Sequence, residues 1–126
     1  MRVRPGRIIA AVVVAEILGV AILAALVTIF GPPGFKAAQP FAQRLGAWVG
    51  PISGFVLCTL GGWWVARHVP RSDRLVNGFA TGLSAAILDV AIAAAFGSIL
   101  SLLLLLSNAG RIVGGSIGGW LASRRA

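Results

Sequence analysis

The sequence predicts an all-α integral membrane protein: four transmembrane helices forming two helical hairpins of like orientation, both termini cytoplasmic. Three observations predict it. Of 126 residues, 58% are hydrophobic, with only 11 basic and 3 acidic side chains, too few to cover a soluble domain. The apolar residues fall into four runs, about 8–30, 46–66, 75–96 and 100–123, each close to the ~20 residues a helix needs to cross a bilayer. The basic residues gather on one side of those runs. Nothing is left for a second domain, so residues 1–126 read as a single four-helix unit in the plasma (inner) membrane.

Span one follows Arg2, Arg4 and Arg7. Its apolar run is too long for the ~7–15-residue core of a signal peptide, so it reads as a retained helix. The connection 31–46 (GPPGFKAAQPFAQRLG) opens on Gly31-Pro32-Pro33-Gly34, which a helix cannot pass, and Pro40 reads as a second stop. Span two ends at Arg67, and the short turn to span three carries Arg71 and Arg74. Placing the next turn near Gly97–Ser101 gives spans three and four ordinary lengths, and puts Asn108 and Arg111 inside span four. Arg124 and Arg125 follow it.

The net charge of +8 would suggest nucleic acid in a soluble protein. Here the arginines sit at span ends and line no groove, so nucleic acid is excluded as a partner. Eight basic residues on one side oppose only Lys36 and Arg44 on the other, which sets both termini in the cytoplasm and suits anionic headgroups there. Trp63, Trp64 and Trp120 lie beside Arg67 and Arg124 at that boundary, and Trp48, with Phe35 and Phe41, suits the opposite one. Cys58 is the only cysteine and His68 the only histidine, so neither a disulfide nor a metal site is expected. No cofactor is expected either.

The second span ends LGGWWVAR (60–67) and the fourth IGGWLASR (117–124). Gly61, Gly62, Trp63 and Arg67 recur 57 positions later, and the lone acids of spans one and three, Glu16 and Asp89, lie 73 apart. The difference is taken up by the longer first connection, as expected of two parallel repeats. Small residues recur at every fourth position: Gly46, Gly50, Gly54, Cys58 and Gly62 in span two, and Gly78 and Gly82 in span three. Span four carries Gly110, Gly114 and Gly118, with Gly115 and Gly119 one position on. Such strips let helix backbones approach closely, within the chain or between subunits.

Three charges fall at membrane depth. Counting 1.5 Å per residue from Arg74 and Arg124 puts Asp89 and Arg111 both roughly 20 Å from the cytoplasmic boundary. A structural Asp89–Arg111 pair is therefore expected, with Asn108 as polar neighbour, and Arg111→Ala should rescue Asp89→Ala. Counting from Arg7 puts Glu16 only about 13 Å deep. Three solutions are open to it: sharing Arg111, being protonated, or meeting another chain or a substrate.

The stretch AEILG (15–19) in the first of four short spans resembles the glutamate motif of the small multidrug resistance transporters. The resemblance implies a first-span carboxylate, here Glu16, that binds protons and cationic drugs in a dimer. Outside this stretch the patterns part: the chain has no tyrosine, the GGW…R repeat is foreign to that family, and the charge bias fixes one orientation. The hairpin GGWWVAR…NGFATGL (61–83) resembles small four-span bacterial membrane proteins of uncharacterised function, a likeness that brings no activity with it.

No nucleophile–base constellation, phosphate loop or metal cluster stands in the sequence, so no enzyme is expected. The leading expectation is a non-catalytic packing or accessory subunit of a homo-oligomer or larger membrane complex, with other membrane helices and lipid as its partners. The alternatives are a small proton-coupled transporter or channel using Glu16, and a holin-like membrane-permeabilising protein, which would need no buried ion pair.

Overall fold

In the computed structural model, which describes residues 1–97 and 101–124, four helices are long and apolar enough to cross a membrane. Helix α1 spans Pro5–Phe30, α2 Phe35–Ala66, α3 Arg74–Ala95 and α4 Leu102–Arg124. A 3₁₀ turn, Arg71–Asp73, links α2 to α3. The α3–α4 connection and Arg125 fall partly or wholly outside the described residues. On its near side α3 ends with Gly97 at φ +74°, the left-handed conformation that closes a helix and that glycine adopts without steric cost.

The first two helices start earlier than hydropathy suggests. Pro5 opens α1, because a proline at the first position gives up an N–H that has no partner there anyway. Pro40 does not stop α2: it lies inside a helix of 32 residues. Only the bond to the Lys36 carbonyl is lost there. The turns around it are held by an apolar face, Ala38, Phe41, Ala42 and Leu45, at helical spacing and partly buried. Most of the expected 31–46 loop is thus helix.

Successive helices run antiparallel, so α1 and α3 leave a common end to which α2 and α4 return. At this end, here the basic end, Arg74 Nη1 donates to the Ala122 carbonyl at 2.6 Å. It thereby satisfies an acceptor left open in the last turn of α4. Asn77, fully buried, accepts from the Arg4 amide at 3.1 Å and donates to the Arg2 carbonyl at 2.7 Å and to the Asp73 carbonyl at 2.8 Å. The N-terminal segment is therefore latched to the start of α3. Substituting Asn77→Ala leaves a backbone donor and acceptor unpaired, a cost of about 1–3 kcal/mol. Amide exchange at Arg4 should then accelerate and tryptic cleavage after Arg2 should appear under limited proteolysis; unchanged exchange would refute the latch.

The strips of small residues divide into two classes. A Cβ added at Gly62 would lie 2.6 Å from the Gly115 carbonyl oxygen, one at Gly78 2.6 Å from Gly119 Cα, and one at Gly82 2.8 Å from Ile112 Cα. Gly114, Gly118 and Gly119 face Phe55, Trp63 and Arg74 backbone atoms at 2.6 Å on the same measure. Backbones of α2, α3 and α4 thus meet directly over the basic half. Gly50 has nothing within 4 Å and Gly46 only an ordinary contact with Leu23. Within the chain the far part of the α2 strip therefore makes no close backbone contact, which leaves only a contact between subunits for the packing that the spacing of Gly46 and Gly50 suggests. The sealed half also holds the buried apolar cluster Ile8, Ala11, Val12, Cys58, Val65 and Ala85.

Candidate functional site

The three charges that the sequence sets within apolar helices come together midway along the bundle. Arg111 Nη1 donates to Glu16 Oε1 in a close ion pair, and Arg111 Nη2 lies 3.4 Å from Asp89 Oδ1. Helices α1, α3 and α4 each contribute one side chain. The Arg111 side chain is 10% exposed, and those of Glu16 and Asp89 are 16% and 23% exposed. Arg111 is nearly enclosed, and the two acids are partly buried beside it.

The depths differ from the expectation. Arg4, held by Asn77, sets the register of α1 against α3, and Glu16 and Asp89 each lie twelve residues beyond that latch. They therefore sit level, about 18 Å along their helices. Counting Glu16 from Arg7 makes it too shallow, because Arg7 is inside α1 and does not mark its start.

Arg111 and Asp89 are not level in the backbone. The main chain of Arg111 and Ile112 packs on Gly82, seven residues before Asp89. The side chains close that gap because each Cα–Cβ bond tilts toward its own helix N-terminus. Since α4 runs opposite to α3, Arg111 leans away from the basic end and Asp89 leans toward it.

Room for the guanidinium comes from α2. A Cβ at Gly54 would stand 3.1 Å from Arg111 Nε, so glycine at this point is what lets the head group cross behind α2. Nε itself has no hydrogen-bond partner. A cavity of about 200 Å³ beside the cluster is bounded by Glu16, Ser53, Cys58, Asp89 and Arg111, among mostly apolar neighbours. A second hollow of about 280 Å³ reaches from Asp89 and Arg111 past Ser107 to Ser101 at the far end. Gly50 lines both. Asn108 stands apart: its Nδ2 donates to the Leu104 carbonyl of its own helix at 2.9 Å, and its Oδ1 is buried without a partner.

The aromatic residues at the basic end carry guanidinium groups. Arg67 lies 4.8 Å from the Trp63 ring centre and Arg124 4.1 Å from that of Trp120, so each GGW…R segment makes the same contact. Arg7 lies 5.1 Å from the Trp64 ring and ties α1 to α2. Trp48 is 74% exposed on the far half of α2.

Chemically, the cluster is two carboxylates sharing one guanidinium. If both acids are ionised it holds one negative charge in excess, so it can accept one unit of positive charge. Among the described residues, no group of three or more His, Cys, Asp or Glu side chains is placed to hold a metal ion. The sequence pointed to Glu16, Asp89 and Arg111. It did not point to Asn77 or Arg74, whose roles come from carbonyls and amides distant in the chain. No protein-family model, no curated protein and no solved structure matches the chain.

Proposed function

We propose that the chain is a non-catalytic integral membrane protein with cytoplasmic termini, acting by assembly as a packing or accessory subunit in a homo-oligomer or larger membrane complex. The observation that carries this reading is the closure of the basic half: α2, α3 and α4 meet there backbone to backbone through Gly62, Gly78, Gly115 and Gly118. A path between α2, α3 and α4 to the basic end would have to break this backbone-to-backbone packing. The cluster then serves as a register device. An unpaired charge at the bilayer centre costs at least ~2.5–3.5 kcal/mol, so α1 docks where Glu16 finds Arg111 and slips nowhere else.

A second reading, proton-linked transport using Glu16, is favoured by one specific observation, the surplus carboxylate of a cluster in which Glu16 faces the first hollow and Asp89 faces both. A holin-like role has no use for a three-helix ion cluster.

Reconstitution into vesicles loaded with a pH-sensitive dye separates the readings. Subunit behaviour predicts the same passive proton leak for the native chain and for Glu16→Gln, together with a complex larger than one chain after mild extraction. A pH-driven flux abolished by Glu16→Gln in a variant that still assembles would replace the accessory reading with transport.

A further inference from the structure

The α1–α2 seam carries a second feature that the charged cluster does not use. A groove of about 360 Å³ runs between Ala10, Val14 and Leu18 on one wall and Leu57, Leu60 and Trp64 on the other. Its floor is opened by small residues: a Cβ at Gly61 would already touch Ala11 Cβ at 3.5 Å. Among the described residues no charged side chain lines it, and its lips, Val14, Leu18 and Leu60, are exposed. At its basic end the Arg7 guanidinium rests over the Trp64 ring, and His68 packs edge-on against the same indole.

We propose that this seam binds one acyl chain of an anionic phospholipid, with Arg7 holding the phosphate. The inference rests on the reading of the chain as membrane-spanning. Length and charge select the occupant. From Ala10 to Leu18 the groove covers about 12 Å of helix, close to the depth of one leaflet, half of a ~30 Å hydrocarbon core. It begins one helical turn from Arg7, where a headgroup of that leaflet would lie, and the guanidinium offers a fork of donors that matches phosphate. A second transmembrane helix would have to seat against the bulky, exposed Ile22 and Ile29, which continue the seam along the far half of α1. The groove adjoins the cavity beside Glu16, with Ala15 and Leu57 lining both. The end of a bound chain therefore shields the cluster from the side.

The test is lipid titration of the purified, delipidated full chain in detergent, counted by native mass spectrometry. Phosphatidylglycerol and phosphatidylcholine with identical acyl chains serve as probes. One phosphatidylglycerol per chain should bind several-fold more tightly than phosphatidylcholine. Arg7→Gln should weaken phosphatidylglycerol about fivefold, the effect of one basic residue near an anionic surface, and weaken phosphatidylcholine, whose ammonium makes its headgroup neutral overall, by less. Arg71→Gln, an equal loss of charge on the exposed 3₁₀ turn, should change neither. Ala10→Phe should block both lipids, and Val14→Phe, on the exposed lip, gives a second block should the first variant fold poorly. Equal binding of the two lipids, equal effects of Arg7→Gln and Arg71→Gln, or full binding to both groove-filled variants would overturn the proposal. So would a dimer dissolved by Ala10→Phe with lipid stoichiometry unchanged, which would give the seam to a second copy. Failure of the membrane reading looks different: the chain would then be recovered from the soluble fraction without detergent.

Discussion

Replacing Arg111 with leucine should cost the bundle about 3–5 kcal/mol, the usual penalty for leaving a buried charge without its partner. The loss is large because one guanidinium serves two acids on different helices, Glu16 on α1 and Asp89 on α3. Neutralising the acids should undo it in stages. Arg111→Leu with Asp89→Asn still leaves Glu16 facing an apolar pocket, so recovery is partial. Adding Glu16→Gln removes the last charge and should bring the unfolding midpoint back close to that of the native chain, since buried ion triads replaced by neutral groups often lose little stability. The simple pair expected from the sequence gives another outcome, in which Arg111→Ala alone rescues Asp89→Ala. Reversible unfolding in bicelles, followed by circular dichroism, distinguishes the two. Full rescue without touching Glu16 would show that Glu16 does not depend on Arg111.

The other large effect is steric. A methyl group at Gly115 would stand 2.6 Å from the Gly82 amide nitrogen and 2.8 Å from its Cα, distances at which backbone must move. Gly115→Ala should therefore force α3 and α4 apart at a cost of about 1–3 kcal/mol, the usual range for overpacking, and Gly115→Leu should prevent assembly of the bundle. Gly110 lies on the same helix with nothing within 4 Å. There Gly110→Ala should be neutral or stabilising by up to ~1 kcal/mol, because alanine is the better helix former. Equal losses of folded protein at the two positions, measured by thermal unfolding after mild extraction, would mean that close approach is not what the Gly115 strip provides.

These two sites show what a sequence can carry. Hydropathy alone was enough for four long helices, because length and apolarity are local properties. The glycine spacing of span two was equally visible, but it looks the same at Gly50 as at Gly62. Only the path of the neighbouring helices decides that Gly62 meets Gly115 while Gly50 borders empty space. Pro40 misled for a related reason. It is a real local signal against helix, outweighed by the partly buried face of Ala38, Phe41, Ala42 and Leu45. That spacing was already present in the sequence and would have supported an earlier start for α2.

The charged cluster was half legible. The rarity of acids in apolar runs singled out Glu16 and Asp89, and Arg111 was their only cation at comparable depth. Whether Glu16 shared it turned on the register of α1 against α3, which depends on the Arg4–Asn77 hydrogen bond. Asn77 reads as an ordinary polar residue just after a turn, and nothing in its neighbourhood predicts a contact with residues more than seventy positions earlier. Long-range pairing of that kind belongs to packing.

The Glu16 half of the cluster, the half that a simple Asp89–Arg111 pair lacks, can be measured directly, because Glu16 is the only glutamate in the sequence. Labelling glutamate carboxyl carbons with ¹³C and arginine guanidinium nitrogens with ¹⁵N gives a dipolar-coupling experiment on membranes with a single carbon site. The expected result is strong dephasing of the Glu16 carboxyl, corresponding to an ion pair within ~4 Å, lost in a folded Arg111→Leu, Asp89→Asn variant. A Glu16 carboxyl signal with no nitrogen dephasing in the native chain would contradict the account.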